Sequence, residues 1–147
     1  MVYADYWIAL QEGHLTYGTF EDYKSIINRH IKPSMKGLRM RDVLPDDITR
    51  MMKEVANFSK SVHDKTYMLA KQMFTNAYDN KLISENPCPK MHAGGRDPVE
   101  RQALTNEQMT TLIEAVKGTR AYVFCMIGLY SGLRREEILG LKWDCVR

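Results

Sequence analysis

The sequence predicts an all-α protein, because apolar residues recur three or four positions apart along most of its length. No segment shows the strict alternation of apolar and polar residues that is typical of a half-buried strand. The helical pattern breaks clearly over residues 85–102, which hold three prolines, two glycines and few apolar residues. We therefore expect a helical domain over residues 1–88, a linker over 89–103 and the opening part of a second domain, incomplete as it stands, over 104–147.

The first two predicted helices precede the first proline of the sequence. One covers residues 4–13, where the helical spacing places Tyr6, Ala9 and Leu10 on the buried face. The next runs from about residue 19 to residue 31, and its apolar residues again recur at helical spacing. Each of these helices has one apolar face, so both are expected to pack on a common core.

Prolines mark the ends of the next elements. Pro33 is expected to end the second helix and to hold Lys32 in an extended conformation. Pro45 suits the first position of a third helix, and the two aspartates that follow it suit the positive end of the helix dipole. A fourth helix with a long apolar stripe is predicted over about residues 62–81. Four such helices can bury a small core.

Three more helical elements follow the linker. Thr105 and Gln108 have the spacing of a capping box and predict the start of the first. Residues 120–132 are apolar on nearly all sides, so that helix is expected to be buried on most sides. Ser131 is the expected N-cap of the last helix. Within the linker, residues 93–97 (AGGRD) lack the spacing of a phosphate-binding loop, which favours a flexible hinge.

The composition excludes several classes of protein. Three separated cysteines without a C-x-x-C spacing argue against a disulfide framework or a zinc site, and we expect reduced thiols. The four histidines also lack the spacing of metal ligands, so no metal and no cofactor are expected. No apolar run approaches the roughly 20 residues that span a membrane, and the N-terminus does not have the pattern of a signal peptide. The net charge of +3 alone indicates no partner.

Arg134 is the most interesting single residue. It lies near the start of the last predicted helix, where free backbone N–H groups favour an anion. Its guanidinium offers a planar fork of donors that can bind two phosphate oxygens, and Glu137 is placed three residues on to hold it. The simpler alternative is a solvated ion pair that contributes only a few tenths of a kcal/mol.

Two groups of polar residues could bind phosphates. Residues 24–41 contain six basic residues and no acidic one. On one face of the second helix lie Lys24, Asn28 and Lys32. The opening of the fourth helix supplies Lys60, Ser61, His63 and Lys65. Such side chains suit phosphate contacts. By themselves, however, they favour the simpler alternative of lysines that merely solvate a polar helix face. His63 is the ambiguous member, since it is a donor if exposed and an ordinary helix residue otherwise.

The segment SGLRREEILGLKW, residues 131–143, resembles the first active-site box of the tyrosine recombinases, the family of phage and transposon integrases. That box typically reads Thr-Gly-Leu-Arg-x-x-Glu-(apolar)-x-x-Leu-x-Trp. The matching residues are Gly132, Leu133, Arg134, Glu137, Ile138, Leu141 and Trp143. Ser131 replaces the usual Thr, and Cys145 stands where an Asp is common. Residues 19–37, 81–88 and 104–116 also resemble parts of that family.

The resemblance implies a fold and a reaction. The fold would be a SAM-like four-helix core-binding domain followed by the first helices of an α+β catalytic domain. The reaction would be metal-free DNA strand exchange through a 3′-phosphotyrosyl intermediate. Arg134 would be the first catalytic arginine, and Glu137 its acidic support. Because the later boxes and the nucleophilic tyrosine of the family are not among these 147 residues, the chain is expected to be inactive alone.

The resemblance also implies partners and a location. Double-stranded DNA at a core-type recombination site would lie against the second and fourth helices. The expected contacts are Thr19, Lys24, Asn28, Lys32, Lys60, Ser61, His63 and Lys65, with Arg96 reaching the backbone from the linker. Other recombinase protomers would be partners, and a membrane would not. The expected location is the cytoplasm of a bacterium, at the nucleoid, for a protein encoded by the bacterium or a phage.

Two other classes of function compete with this interpretation. A stand-alone helical DNA-binding module without catalytic activity would need the basic residues but not the box around Arg134. A helical protein-interaction domain would show no salt-dependent affinity for DNA and would tolerate any change at Arg134. The sequence contains both the basic residues and the box, which favours the recombinase.

Overall fold

The computed structural model describes residues 2–90, 94–142 and 144. The regular secondary structure of its described part is helical, apart from one isolated bridge between Ser59 and Arg96. This confirms the predicted all-α class. The chain divides into two compact units, Met1–Val99 and Glu100–Arg147. Within the described residues, no helix combines the length and the apolar character needed to cross a bilayer.

The first unit is built on one long helix that four others surround. Its helices are α1 (Val2–Leu10), α2 (Tyr17–Ile26), α3 (Lys32–Ser34), α4 (Pro45–Glu54) and α5 (Lys60–Asp79), with a π-helical turn at Ile27–Ile31 and a 3₁₀ turn at Met40–Asp42. The core is the apolar stripe of α5 packed against side chains from the shorter helices. Its fully buried members include Ile27, Ile31, Met35, Ile48, Met51, Leu69, Met73 and Phe74. Burying each of these side chains contributes roughly 1.5–3 kcal/mol.

The predicted buried face of α1 is wrong. Ala4, Trp7 and Ile8 face the core, whereas Tyr6 is 55% exposed and Leu10 is 44% exposed. Apolar residues occur on several sides of this helix, so spacing alone did not select the face. Burial of the large indole ring removes more apolar surface from water than burial of a tyrosine would, since the phenol keeps a polar hydroxyl.

The chain does not become extended before Pro33. Lys32 has helical dihedral angles, φ −60° and ψ −45°, and the helix continues to Ser34. The reason is the π-helical turn at Ile27–Ile31, in which the Lys32 N–H bonds to the carbonyl five residues earlier. That wider turn leaves room for the pyrrolidine ring, which in a regular α-helix would clash with the carbonyl four residues back.

The predicted starts of α4 and α5 are close to the observed ones. Pro45 is the first residue of α4, and Asp47 Oδ2 accepts a hydrogen bond from the Leu44 N–H at 3.0 Å. This bond, with the help of Arg50, lowers the pKa of the Asp47 carboxyl. Helix α5 begins two residues earlier than predicted, because Ser59 acts as its N-cap.

Part of the predicted hinge is fixed to the first unit. The Arg96 N–H donates to the Phe58 carbonyl at 2.7 Å, and the Lys60 N–H donates to the Arg96 carbonyl at 2.9 Å. Gly94–Arg96 therefore lie against the start of α5, and the expectation of a free hinge does not hold for these three residues. Residue spacing could not predict this pairing, because the bridge joins Ser59 and Arg96, which are far apart in the sequence.

The second unit contains α6 (Asn106–Val116), α7 (Ala121–Ser131) and α8 (Arg135–Leu139). The capping box is confirmed: Thr105 Oγ1 accepts from the Gln108 N–H at 3.2 Å, and Gln108 Oε1 accepts from the Thr105 N–H at 3.0 Å. Helix α7 has no fully buried residue, so its predicted burial on most sides is not met within the described chain. Among the described residues of this unit, the helices that can cover it are α6 and the five-residue α8.

Candidate nucleic-acid interface and arginine site

Arg134 occupies the turn between α7 and α8. Gly132 ends α7 in the left-handed conformation, with φ 65°, and Arg134 is the extended N-cap residue of α8. Glu137 Oε2 accepts a hydrogen bond from the Arg134 backbone N–H at 2.7 Å. Its other oxygen, Oε1, lies 3.8 Å from Arg134 Nη1. Glu137 therefore fixes the backbone of Arg134 more firmly than its guanidinium.

The expected N-cap at Ser131 is wrong. Ser131 is the last residue of α7, and its hydroxyl donates to the Ile127 carbonyl at 2.5 Å. Since Gly132 must first reverse the chain, the cap position of α8 moves three residues on, to Arg134. An arginine side chain has no acceptor atom, so the cap interaction comes from Glu137 alone.

The two neighbouring arginines differ in their partners. Arg135 donates from Nη2 to Glu136 Oε1 at 2.7 Å and from Nε to the same oxygen at 3.0 Å. These bonds lower the pKa of the Glu136 carboxyl. The Arg134 side chain is 85% exposed and has only the 3.8 Å contact with Glu137 among the described residues. Of the two, Arg134 is the one whose donors are available to an external anion.

Close packing behind this turn depends on Gly128, which the sequence interpretation missed. A β-carbon at Gly128 would lie 3.3 Å from Ile138 Cδ1, so α8 approaches α7 closely there. Ile138, the apolar residue of the box, is half-buried. Its contact with α7 sets the position of the turn that carries Arg134. Trp143 and Cys145 lie outside the described residues.

The predicted contacts of the second predicted helix lie in α2, the π-helical turn and α3, and they are partly engaged within the protein. Thr19 Oγ1 lies 2.9 Å from a neighbouring threonine hydroxyl, and Lys24 Nζ lies 3.8 Å from Glu21 Oε1. Lys32 is ion-paired with an aspartate of α1, and Asn28 is exposed. Lys24 and Asn28 are therefore free to contact a large ligand. Lys32 would have to break its ion pair with Asp5 before it could bind a phosphate.

At the start of α5, the predicted lysine and serine contacts are accessible to a ligand, but the predicted histidine is not. Lys60 and Ser61 are exposed, and Lys60 makes no ion pair with any described residue. His63 is only 4% exposed, and its Nδ1 lies 3.0 Å from Asp64 Oδ1. It therefore cannot present a donor to DNA in this arrangement, which favours the alternative of an ordinary helix residue.

An ion pair joins the two predicted groups. Lys65 Nζ on α5 lies 2.5 Å from Asp22 Oδ2 on α2. Asp22 follows Thr19 by three residues, and Lys65 follows Ser61 by four, so each pair shares a helix face. Thr19, near the start of α2, and Ser61, near the start of α5, consequently lie on one surface.

The sequence interpretation also missed an aromatic pair beside this surface. The rings of His30 and Phe58 meet edge to face, with centroids 4.9 Å apart. Burial lowers the pKa of His30, and the neighbouring Arg29 lowers it further. Phe58 is 46% exposed although it is a large apolar residue. Its place directly before the N-cap of α5 was the one sequence signal that could have pointed to it.

Known proteins resemble this chain over two different spans. Residues 2–56 match the family described as "Phage integrase, N-terminal SAM-like domain". A "Tyrosine recombinase XerC-like" protein of Caldanaerobacter subterraneus is 28% identical over 136 residues, which cover 85% of this chain and 34% of that protein. An "Integrase" of Streptomyces ambofaciens is 23% identical over 145 residues, covering 95% of this chain and 37% of that protein.

These relatives are much longer proteins, and the chain spans about a third of the length of each. No solved structure matches it significantly. The match to the SAM-like domain covers α1 to α4 and agrees with the helical first unit. Together, the family match over the first unit and the two relatives support a relationship with the tyrosine recombinase and phage integrase family.

Proposed function

We propose that this chain takes part in site-specific DNA recombination and that its first unit binds double-stranded DNA at a core-type recombination site. The observation that supports this most is the common surface formed by the starts of α2 and α5. Its polar residues are the half-buried Thr19 and Lys65 and the exposed Lys60 and Ser61. Lys24 and Asn28, the other proposed contacts, are exposed at and beyond the end of α2. Cationic and hydroxyl side chains on one surface suit contacts with successive phosphates of a duplex.

The second unit would supply the first part of a strand-exchange site. In this proposal residues 1–88 are the DNA-binding domain, residues 89–103 the linker and residues 104–147 the start of the catalytic domain. Arg134 would bind the scissile phosphate, because its guanidinium is 85% exposed and its one ion-pair contact among the described residues, with Glu137, is long at 3.8 Å. Glu137 would support it by fixing the backbone from which that side chain extends. The reaction itself, through a phosphotyrosyl intermediate, would need a tyrosine nucleophile and further recombinase protomers.

Salt dependence tests the DNA-binding proposal. The dissociation constant for a labelled duplex is measured by fluorescence anisotropy over a range of salt concentrations. Each phosphate neutralised should contribute about 0.9 to the slope of log affinity against log salt. Lys60→Ala should lower that slope by about 0.9, because Lys60 is exposed and has no ion-pair partner in the described chain.

Arg50→Ala is the matched control. It removes one positive charge from α4, where the arginine is already paired with Asp47 at 2.6 Å, and should leave the slope unchanged. Equal losses in the two variants would indicate a general effect of net charge and not a defined surface. A wild-type chain whose interactions do not depend on salt would instead support the protein-interaction domain.

A further inference from the structure

The segment Gly94–Arg96, here called the clasp, is bound to the start of α5 by two backbone hydrogen bonds. One joins the Arg96 N–H to the Phe58 carbonyl at 2.7 Å, and the other joins the Lys60 N–H to the Arg96 carbonyl at 2.9 Å. They form a parallel bridge in which Ser59 and Arg96 are opposite each other. Arg96 is thus held at its backbone on both sides, although composition alone placed it in a flexible linker.

Both glycines of the clasp lie so close to atoms of α5 that a β-carbon would not fit at either position. A β-carbon at Gly95 would lie 2.6 Å from Lys60 Cα and 2.9 Å from Lys60 N, and Gly95 also has φ +82°. Backbone atoms cannot move aside without shifting α5, so alanine is excluded there on two counts. A β-carbon at Gly94 would lie 2.5 Å from Nε2 of the buried His63 ring.

The clasp joins the backbones of two cationic residues. Arg96 and Lys60 are both exposed, their backbones are hydrogen-bonded to each other, and neither has a carboxylate within 4.0 Å in the described chain. The nearest acidic residue along α5, Asp64, is bonded to His63. The ring of Phe58, whose carbonyl accepts the other clasp bond, packs against His30.

We propose that Gly94 and Gly95 are positioning residues that dock Arg96 beside Lys60, so that the two cations contact the DNA backbone together. This inference rests on the proposed DNA-binding function of the first unit. An arginine on a mobile linker would lose conformational freedom on binding, whereas an arginine whose backbone is already fixed loses less. The clasp therefore turns a linker arginine into a part of the DNA-binding surface.

The test compares Arg96→Ala, Gly95→Ala and the double variant by the salt dependence of duplex binding. Arg96→Ala should lower the slope by about 0.9, the loss of one phosphate contact. Gly95→Ala should produce the same loss although Arg96 is still present, and the double variant should lose no more than either single one. Arg101→Ala, which removes a charge from the same linker beyond the clasp, should not change the slope.

Hydrogen exchange at the Lys60 and Arg96 amides reports on the clasp without DNA. Both amides should be protected in the wild type and should exchange faster in Gly95→Ala, with the rest of the first unit unchanged. Gly94→Ala should act in the same way, and adding His63→Ala should restore both protection and slope, because the ring that the new methyl group meets is gone. If Gly95→Ala fails to fold, Gly94→Ala and its combination with His63→Ala still test the inference.

Failure of this inference can be distinguished from failure of the proposed DNA-binding function. Suppose that Gly95→Ala kept the wild-type slope of log affinity against log salt while Arg96→Ala reduced it. That result would overturn the positioning role of the glycines and leave the proposed DNA binding intact. An unchanged slope in Arg96→Ala would remove Arg96 from the surface. If the wild type showed no salt-dependent affinity for DNA, both this inference and the proposed function would fall, whatever hydrogen exchange showed about the clasp.

Discussion

Glu137 holds the backbone N–H of Arg134 at 2.7 Å, whereas its second oxygen lies 3.8 Å from the Arg134 guanidinium. The acidic residue of the box is thus a helix cap first and an ion-pair partner second. A carboxylate can therefore lie three residues from the exposed Arg134 guanidinium without occupying its donors. The backbone is fixed by the carboxylate, and the side chain stays available.

Replacing Glu137 separates these two roles. Glu137→Gln should retain the stability of the second unit, because an amide oxygen can still accept from the Arg134 N–H. Glu137→Ala should lose roughly 0.5–1 kcal/mol, the low end expected for one exposed hydrogen bond. Chemical denaturation followed by circular dichroism measures both. A Gln variant as unstable as the Ala variant would show that the charge matters more than the cap.

Arg134 and Arg135 form a natural matched pair. Arg134→Ala should lower the salt-dependence slope of duplex binding by about 0.9, since its donors are not satisfied within the protein. Arg135→Ala removes the same charge, but this arginine is already bonded to Glu136, so a smaller change is expected. Anisotropy titrations at several salt concentrations compare them. Identical effects would mean that Arg134 is an ordinary surface charge.

The sequence predicted the helices better than it predicted their contacts. Pro45, Thr105 and Gln108 gave correct helix starts, because capping depends on residues only a few positions apart. The buried face of α1 was wrong because several of its sides are apolar, and only tertiary packing decides between them. The error at Lys32 has a similar origin, since a π-helical turn has no clear local signature.

The site shows the same division between local and distant relationships. Arg134 and Glu137 were found because they lie one turn apart within a short segment. The pairing of Arg96 with Phe58 and Lys60 was missed, because it joins the linker to a helix far away in the sequence. His63 could be interpreted either way until its burial was known, since lysine and hydroxyl neighbours surround both exposed and buried histidines.

The ion pair between Lys65 and Asp22 predicts a gain of DNA affinity on mutation. Asp22→Asn should strengthen duplex binding, because it removes a negative charge from the surface and releases Lys65 for a phosphate. Both side chains are more than a third exposed, so the loss of the pair should destabilise the fold by less than about 1 kcal/mol. Asp79→Asn, at the far end of α5, is the control and should change affinity less. Weaker binding by Asp22→Asn would place DNA on another surface.

The lowered pKa of Asp47 predicts how the free energy of unfolding of the first unit depends on pH. Its pKa is lowered mainly by the hydrogen bond from the Leu44 N–H, with a further contribution from Arg50. A carboxyl whose pKa is lower in the folded than in the unfolded state stabilises the fold fully above its unfolded pKa. That contribution is lost as the pH falls from the ordinary aspartate pKa of 3.8 through the lower pKa of the folded state.

Asp47→Asn should therefore reduce the acid sensitivity of the first unit below about pH 4, the range in which an aspartate with an ordinary pKa takes up its proton. The free energy of unfolding, measured in urea at several pH values, should differ between wild type and variant at neutral pH and converge in acid. Asp46→Asn is the matched control, since this neighbour in the same turn does not cap Leu44 and should leave the pH profile unchanged. A constant difference between wild type and Asp47→Asn at every pH would show that the ionised state of Asp47 does not support the start of α4.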